Sequence, residues 1–167
     1  MRNRCSLLFA VLLPMMMLAQ SSTVIITGKT NVNTFKCYNP NIDSKIAAAL
    51  PDHSKKQRLA LLVQDFDCRN RVMTVDFRKT LSADRYPKLF LSFLKFEKIQ
   101  KDLYRASVEV TLTEKHRIYE VEFRKVKNSF KGTKTVRFSD FGLVPPKKMR
   151  GMVVVDDALE LNINLVQ

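Results

Sequence analysis

Glycine, histidine and acidic residues are scarce in this chain, and tryptophan is missing: 167 residues include four Gly, two His and 16 Asp or Glu. The glycines are scattered, so no glycine-rich loop is present to cradle a phosphate. Asp140-Phe141-Gly142 spells the metal-holding tripeptide of kinases, but no phosphate loop or catalytic loop accompanies it. His53 and His116 each sit in a polar, turn-like stretch without an adjacent nucleophile, and a metal site would need carboxylates or thiolates beside them. They read as surface histidines. An enzyme built on Asp/His chemistry would need a pocket gathering one of them with a carboxylate. Neither Cys37 nor Cys68 belongs to a Cys-x-x-Cys pair, which argues against redox catalysis. The reading is therefore a non-enzyme without cofactor or metal. Internal repeats and low-complexity tracts are also missing.

No apolar run is long enough to cross a bilayer as a helix. Leu7 to Ala19 gives thirteen residues, and a spanning helix needs about 20. Arg2 and Arg4 precede this run, and Gln20, Ser21 and Ser22 follow it. A basic start, a short apolar middle and a small residue at the end describe a secretory signal peptide over residues 1–19, leaving one domain over residues 20–167. A retained membrane anchor is the alternative. Cys5 lies before the apolar run, where lipoprotein processing has no use for it. These features predict a periplasmic or secreted protein.

The shortage of acids leaves 29 Lys and Arg in excess, a net charge of +13, and losing Arg2 and Arg4 leaves the remainder strongly basic. Such a surface favours anionic partners, among them membrane headgroups and polyanionic glycans. Nucleic acid would fit electrostatically, but export and the lack of any recognised nucleic-acid motif count against it. Cys37 and Cys68 remain after export. They form a disulfide, stabilising by about 3–4 kcal/mol through loop closure, or they stay as two buried thiols.

Most of the chain alternates with period two, as strands with one buried face do. Ala106, Val108, Val110 and Leu112 alternate with polar neighbours, then Tyr119, Val121 and Phe123, then Val136 and Phe138, then Leu159, Leu161, Ile163 and Leu165. The first two runs form a hairpin across Thr113–His116, without the glycine usual in such turns. Further strands are predicted over residues 23–37, 58–66, 88–99 and 151–156, which makes eight. Leu89–Phe96 is apolar on both faces, so its register is ambiguous. One segment breaks the pattern: Val72, Met73, Phe77, Thr80 and Leu81 recur at helical spacing, with Asp67 or Asn70 as cap and Pro87 as stop. A shorter helical turn is predicted within residues 42–50, before Pro51. Eight antiparallel strands leave two edges to manage, and closure into a barrel removes them. A β-sandwich is the alternative.

Taken in order, an opening "TGKTNVNTF", a helix ending in "ADRYP", a strand "LFLSF", the hairpin and a late "VRFSDFGL" resemble the YceI-like family of lipocalin-like, polyisoprenoid-binding proteins. Tyr86-Pro87 and Arg137 to Gly142 are the matching positions, and the resemblance covers roughly residues 22–166. It implies an eight-stranded antiparallel barrel outside the cytoplasm, with an apolar tunnel for a long isoprenoid chain. The glycine-free hairpin and the two cysteines depart from the family pattern.

The inward apolar set comprises Phe77, Leu81, Leu89, Leu91, Phe93, Val108, Val110, Leu112, Val121, Phe123, Phe138, Phe141, Leu161 and Ile163. Either these residues line a tunnel, or they fill one another and leave no cavity; composition alone leaves both open. Gly142 is expected to turn the chain, Pro145 and Pro146 to stiffen a rim loop, and Phe141 to line or plug a mouth. Arg78 and Lys79 on the helix, with Lys147 and Lys148 on the proline loop, would set positive charge beside that mouth if both elements share it. That suits a lipid phosphate headgroup or an anionic leaflet. The acids Asp65, Asp67, Asp76 and Asp84 are expected to pair with Arg69, Arg71, Arg78 and Arg85. Two functions follow: non-catalytic binding of an apolar lipid in the barrel, or a filled barrel using its basic face on an anionic macromolecule or membrane.

Overall fold

The computed structural model describes residues 21–50 and 56–167; the predicted signal peptide and His53 lie outside these residues. Among the described residues, nine strands and two α-helices follow one another as β1 (Thr23–Thr30), β2 (Thr34–Asn39), α1 (Ser44–Ala49), β3 (Gln57–Leu62), α2 (Arg71–Thr80), β4 (Lys88–Gln100), β5 (Leu103–Leu112), β6 (Lys115–Val126), β7 (Ser129–Arg137), β8 (Lys147–Lys148) and β9 (Val153–Val166). All ladders are antiparallel, in the order β2-β1-β9-β7-β6-β5-β4-β3, with the two-residue β8 attached to β9. The sheet curls around a single apolar core.

The expected count of eight long strands holds, although two boundaries move in opposite directions. Residues 23–37 are two strands, because Asn31-Val32-Asn33 turns the chain. The Thr30 hydroxyl accepts from the Asn33 amide (2.9 Å) and the Val32 amide (3.2 Å), and this local bonding replaces the ladder. Conversely, the two strands predicted over residues 151–156 and 159–165 are one, β9, which starts at Val153 after a 3-10 turn at Met149–Gly151. Its ladder with β1 is irregular between Gly28 and Thr30, opposite Leu159 and Val155, so the extra residues bend the strand without ending it.

Few glycines do not prevent tight turns. The β4–β5, β5–β6 and β6–β7 connections each have two residues, and Asp102, Thr113 and Lys127 take left-handed φ of 57°, 59° and 53° there. Each such residue costs about 1–2 kcal/mol locally, which the flanking ladders outweigh. Glycine is kept for close approaches. A Cβ on Gly132 of β7 would lie 2.7 Å from the Phe123 ring, and one on Gly28 of β1 would lie 2.3 Å from the Phe35 ring.

The ambiguity in β4 has a physical source. Leu89, Leu91 and Phe93 point inward, then a bulge between Phe93 and Lys95 switches the phase so that Phe96 is the next buried ring. Phe90 faces outward beneath the Arg58 guanidinium, 3.8 Å from its ring centroid.

The curl stops short of a closed ladder. β2 and β3 are its free edges, and other contacts join them. Tyr38 and Asp67 exchange backbone hydrogen bonds (2.8 and 2.9 Å), the buried Asn39 amide donates to the Leu62 carbonyl (3.0 Å), and Cys37 forms a disulfide with Cys68. The seam is therefore closed by one side-chain bond to β3 and by a backbone bridge and a disulfide to the segment that follows it, in place of a continuous ladder.

Two helices close the two ends. α1 packs against β9 and β3, with Ile46 and Leu50 turned to the core. α2 sits at the opposite end, capped by the Asn70 carboxamide, which accepts from the Met73 amide (3.0 Å). Its buried face is Thr74, Phe77 and Leu81. Val72, expected on that face, is 70% exposed on the outer side.

Candidate functional site: an apolar cleft at the mouth

At the α2 end, the β1–β2 turn, α2 and the long β7–β9 connection surround a cleft of about 340 Å³. Its walls are almost wholly apolar: Phe35, Met73, Phe77, Phe138, Pro146 and Val155, with Val32, Met149 and Val153 towards solvent. Thr30, Asn33, Asp76, Thr80 and Lys148 complete the rim. This is the lower end of the size range of small-ligand sites, and the composition is that of a site for an apolar chain with few polar contacts.

Each wall is positioned locally. Met73, Asp76, Phe77 and Thr80 lie three or four residues apart, so one side of α2 delivers all four. The β1–β2 turn is pinned to the opposite wall, where the Asn31 carboxamide donates to the Met152 carbonyl (2.8 Å) and accepts from the Val154 amide (3.0 Å). α2 and the proline loop meet through Lys148 and Asp76, 2.7 Å apart. The two elements thus share one mouth.

The Asp-Phe-Gly stretch is a wall repair. β6 and β7 pair only over Phe123–Val126 and Ser129–Gly132, and beyond that they diverge towards the mouth. A 3-10 turn at Ser139–Phe141 covers the gap, ended by Gly142 at φ 69°. Asp140 accepts from the Tyr119 hydroxyl (2.7 Å), and the Phe141 carbonyl accepts from Thr113 (2.9 Å). Burial, then the bond to the Asp140 carboxylate, pushes the Tyr119 phenol well above its usual range. Phe141 itself is buried in the core.

Of the fourteen residues in the inward apolar set, Phe77 and Phe138 border this cleft. Leu81, Leu89, Leu91, Val108, Val110, Leu112, Val121, Phe123, Phe141, Leu161 and Ile163 pack against one another in the core. Phe93 borders a different groove of about 790 Å³ at the far end, beside Leu50, Phe96, Lys95, Glu97, Lys98 and Arg105. That groove is larger, but its charged walls suit an apolar chain poorly. At the far end the bore is plugged by rings: Phe96 lies 5.7 Å from Phe123, 5.2 Å from Phe130 and 5.3 Å from Tyr104.

Among the four rim cations, Lys148 reaches the cleft. The Arg78 guanidinium is turned to the Phe66 carbonyl (2.9 Å from Nη2), while Lys79 and Lys147 are exposed. The expected acid–arginine pairs around α2 give way to other partners. Asp76 pairs with Lys148, and Asp67 accepts from the Arg69 amide and the Thr74 hydroxyl. Arg69 and Arg85 lie over the rings of Tyr38 and Tyr86. Backbone carbonyls and ring faces compete well for guanidinium at a half-exposed surface, where an ion pair gains little. His116 is exposed on β6, and no group of His, Cys, Asp and Glu suited to a metal occurs among the described residues.

Sequence reasoning missed Phe35, Pro146, Met149, Val153 and Val155 as cleft walls. Phe35 was embedded in what read as one long strand and Val153 and Val155 in a short predicted one, Pro146 was expected only to stiffen the rim loop, and Met149 lies in that loop without any periodic signal.

The YceI-like domain family matches residues 18–167. The chain belongs to this family. No curated protein matches the sequence. Among solved structures, this YceI-like protein is similar to Burkholderia cenocepacia BcnA (TM-score 0.68, 16% identity, 87% of this chain and 96% of that one). It is also similar to a polyisoprenoid-binding domain from Saccharophagus degradans implicated in plant cell wall breakdown (TM-score 0.59, 9% identity, 86% and 91% covered). A third similar structure is the Campylobacter jejuni YceI protein (TM-score 0.57, 17% identity, 83% of each chain). At such identities the likeness concerns the fold: a lipocalin-like antiparallel barrel.

Proposed function

We propose that this YceI-like protein binds and carries an apolar, isoprenoid-type lipid outside the cytoplasm, without turning it over. The observation that carries the reading is the apolar cleft between α2 and the proline loop, open to solvent and roofed by a few polar groups. The polyisoprenoid-binding domain with the same fold supports the ligand class. The Cys37–Cys68 disulfide supports an oxidising compartment. In this reading Phe77, Phe138 and Met73 hold the first part of the chain, and Lys148 stands where a headgroup would lie. The core packed beneath Phe77 and Phe138 makes the site shallow, so a longer chain enters only as α2 and the loop part at the Asp76–Lys148 pair.

Native mass spectrometry of gently purified protein, followed by organic extraction and by addition of a short isoprenoid alcohol, tests this. A one-to-one lipid adduct is expected. Met73→Trp should fill the cleft, abolish the adduct and leave the melting temperature nearly unchanged. Failure to retain any lipid, before or after addition, would remove the carrier reading.

The ring plug favours a second reading, a filled barrel that acts through its basic surface. Under it, Met73→Trp changes no binding property.

A further inference from the structure

Exposed apolar side chains are unevenly distributed. Of ten large hydrophobic residues that stand exposed among the described residues, six lie at the mouth: Val32, Val72, Val75, Val144, Met149 and Met152. Val72 and Val75 occupy the side of α2 opposite its buried Thr74, Phe77 and Leu81, and so point away from the barrel. Met149 and Met152 are each about two-thirds exposed at the tip of the loop (66% and 65%). The backbone holds them there, with Met149, Arg150 and Gly151 in succession at positive φ (51°, 55° and 93°). Non-glycine residues resist that region, and two in succession mark a conformation that the surroundings impose.

Charge coincides with these tips. α2 and the loop over residues 142–152 together carry Arg71, Arg78, Lys79, Lys147, Lys148 and Arg150 against a single carboxylate, Asp76, which Lys148 already neutralises. Exposed apolar groups interleaved with cations around an apolar opening are the makeup of a surface that inserts shallowly among anionic lipids. A polyanionic glycan would use the cations but has no use for the apolar tips.

We infer that the mouth end docks on an anionic lipid surface, with the outer face of α2 and the tip of the loop as its two feet and the cleft between them facing the leaflet. The inference rests on the carrier reading for its purpose, since docking would let cargo pass between membrane and cleft without crossing water, but most of its evidence lies in residues outside the cleft, among them Val72, Val75, Met152, Arg71, Lys147 and Arg150.

Co-sedimentation with phosphatidylcholine vesicles, with and without an equal share of phosphatidylglycerol, tests it. Binding is expected to the anionic vesicles alone and to weaken with salt. Replacing Arg71, Lys79, Lys147 and Arg150 with Gln should reduce partitioning at least about tenfold. Met149→Ser with Met152→Ser should reduce it too, with an unchanged melting temperature. Because the chain lacks tryptophan, Met152→Trp reports insertion directly, and its emission should shift to the blue on anionic vesicles. Equal loss on replacing Lys95, Lys98 and Lys101 at the far end would mean unspecific charge attraction and overturn the proposal. So would binding to heparin that depends on the mouth cations without any binding to vesicles. Vesicle binding without retained lipid would leave docking standing and remove the carrier reading; retained lipid without vesicle binding would do the reverse.

Discussion

The two ends of the barrel are built from the same alternating strands but finished in opposite ways. At the far end, Phe93, Phe96, Phe123 and Phe130 interlock with Tyr104 and Gly132 makes room for the Phe123 ring, so the rings plug the bore, and the open groove of about 790 Å³ beside Phe93 and Phe96 has charged walls. At the mouth, Phe35, Phe66 and Phe77 meet edge to face, but the connection from β7 to β9 stands off and leaves an apolar cleft. The comparison teaches that hollowness in a small barrel is a property of its loops. Eight strands enclose a bore that side chains alone can fill, and here the apolar cleft arises where irregular segments hold two apolar walls apart.

The largest expected effect lies in the plug. Phe123→Ala should cost about 3–5 kcal/mol, measured by urea unfolding, whereas Met73→Ala at the half-exposed cleft wall should cost far less. Equal losses would abolish the distinction between the two ends. Next comes the seam. Cys37→Ser with Cys68→Ser should cost about 3–4 kcal/mol, since the bond closes a 31-residue separation. Hydrogen exchange should rise first in α2 and β2, and uniform exchange would show that the disulfide serves the whole barrel equally. Gly132→Ala should cost about 1–3 kcal/mol by driving a methyl group into the Phe123 ring; a neutral outcome would mean that the plug is looser than its contacts suggest.

The smallest effect is a pH dependence at the mouth. The Tyr119 phenol is raised by burial and by Asp140, so the folded state holds this proton more tightly than the unfolded chain does. Its contribution is complete below the unfolded value of about 10 and is lost as pH rises through the folded one. Tyr119→Phe should therefore flatten the alkaline limb of the stability profile, and an unaltered limb would argue that the Asp140 turn holds without it.

Much of the fold was legible because burial on one face imposes period two. Val108, Val110 and Leu112 had to point inward together, and they do. The helix was legible from its spacing, yet its face was misjudged at Val72, because spacing alone does not say which of two overlapping apolar stripes meets the core. The split at Asn31–Asn33 and the joining of β9 were hidden, since a Thr–Asn turn carries no glycine and a bulge resembles a break. The cleft was hardly legible: Phe77 and Phe138 read the same as their neighbours that ended in the packed core.

What the sequence determined by itself is an antiparallel, strand-dominated domain with a strongly basic surface, because alternation and charge are local properties written residue by residue. What only the tertiary structure decided is where the apolar surface stays unfilled. That depends on how far the β7–β9 connection stands from α2, a distance set by the Asn31 and Lys148 contacts between segments remote in the chain, and no local pattern encodes such a gap.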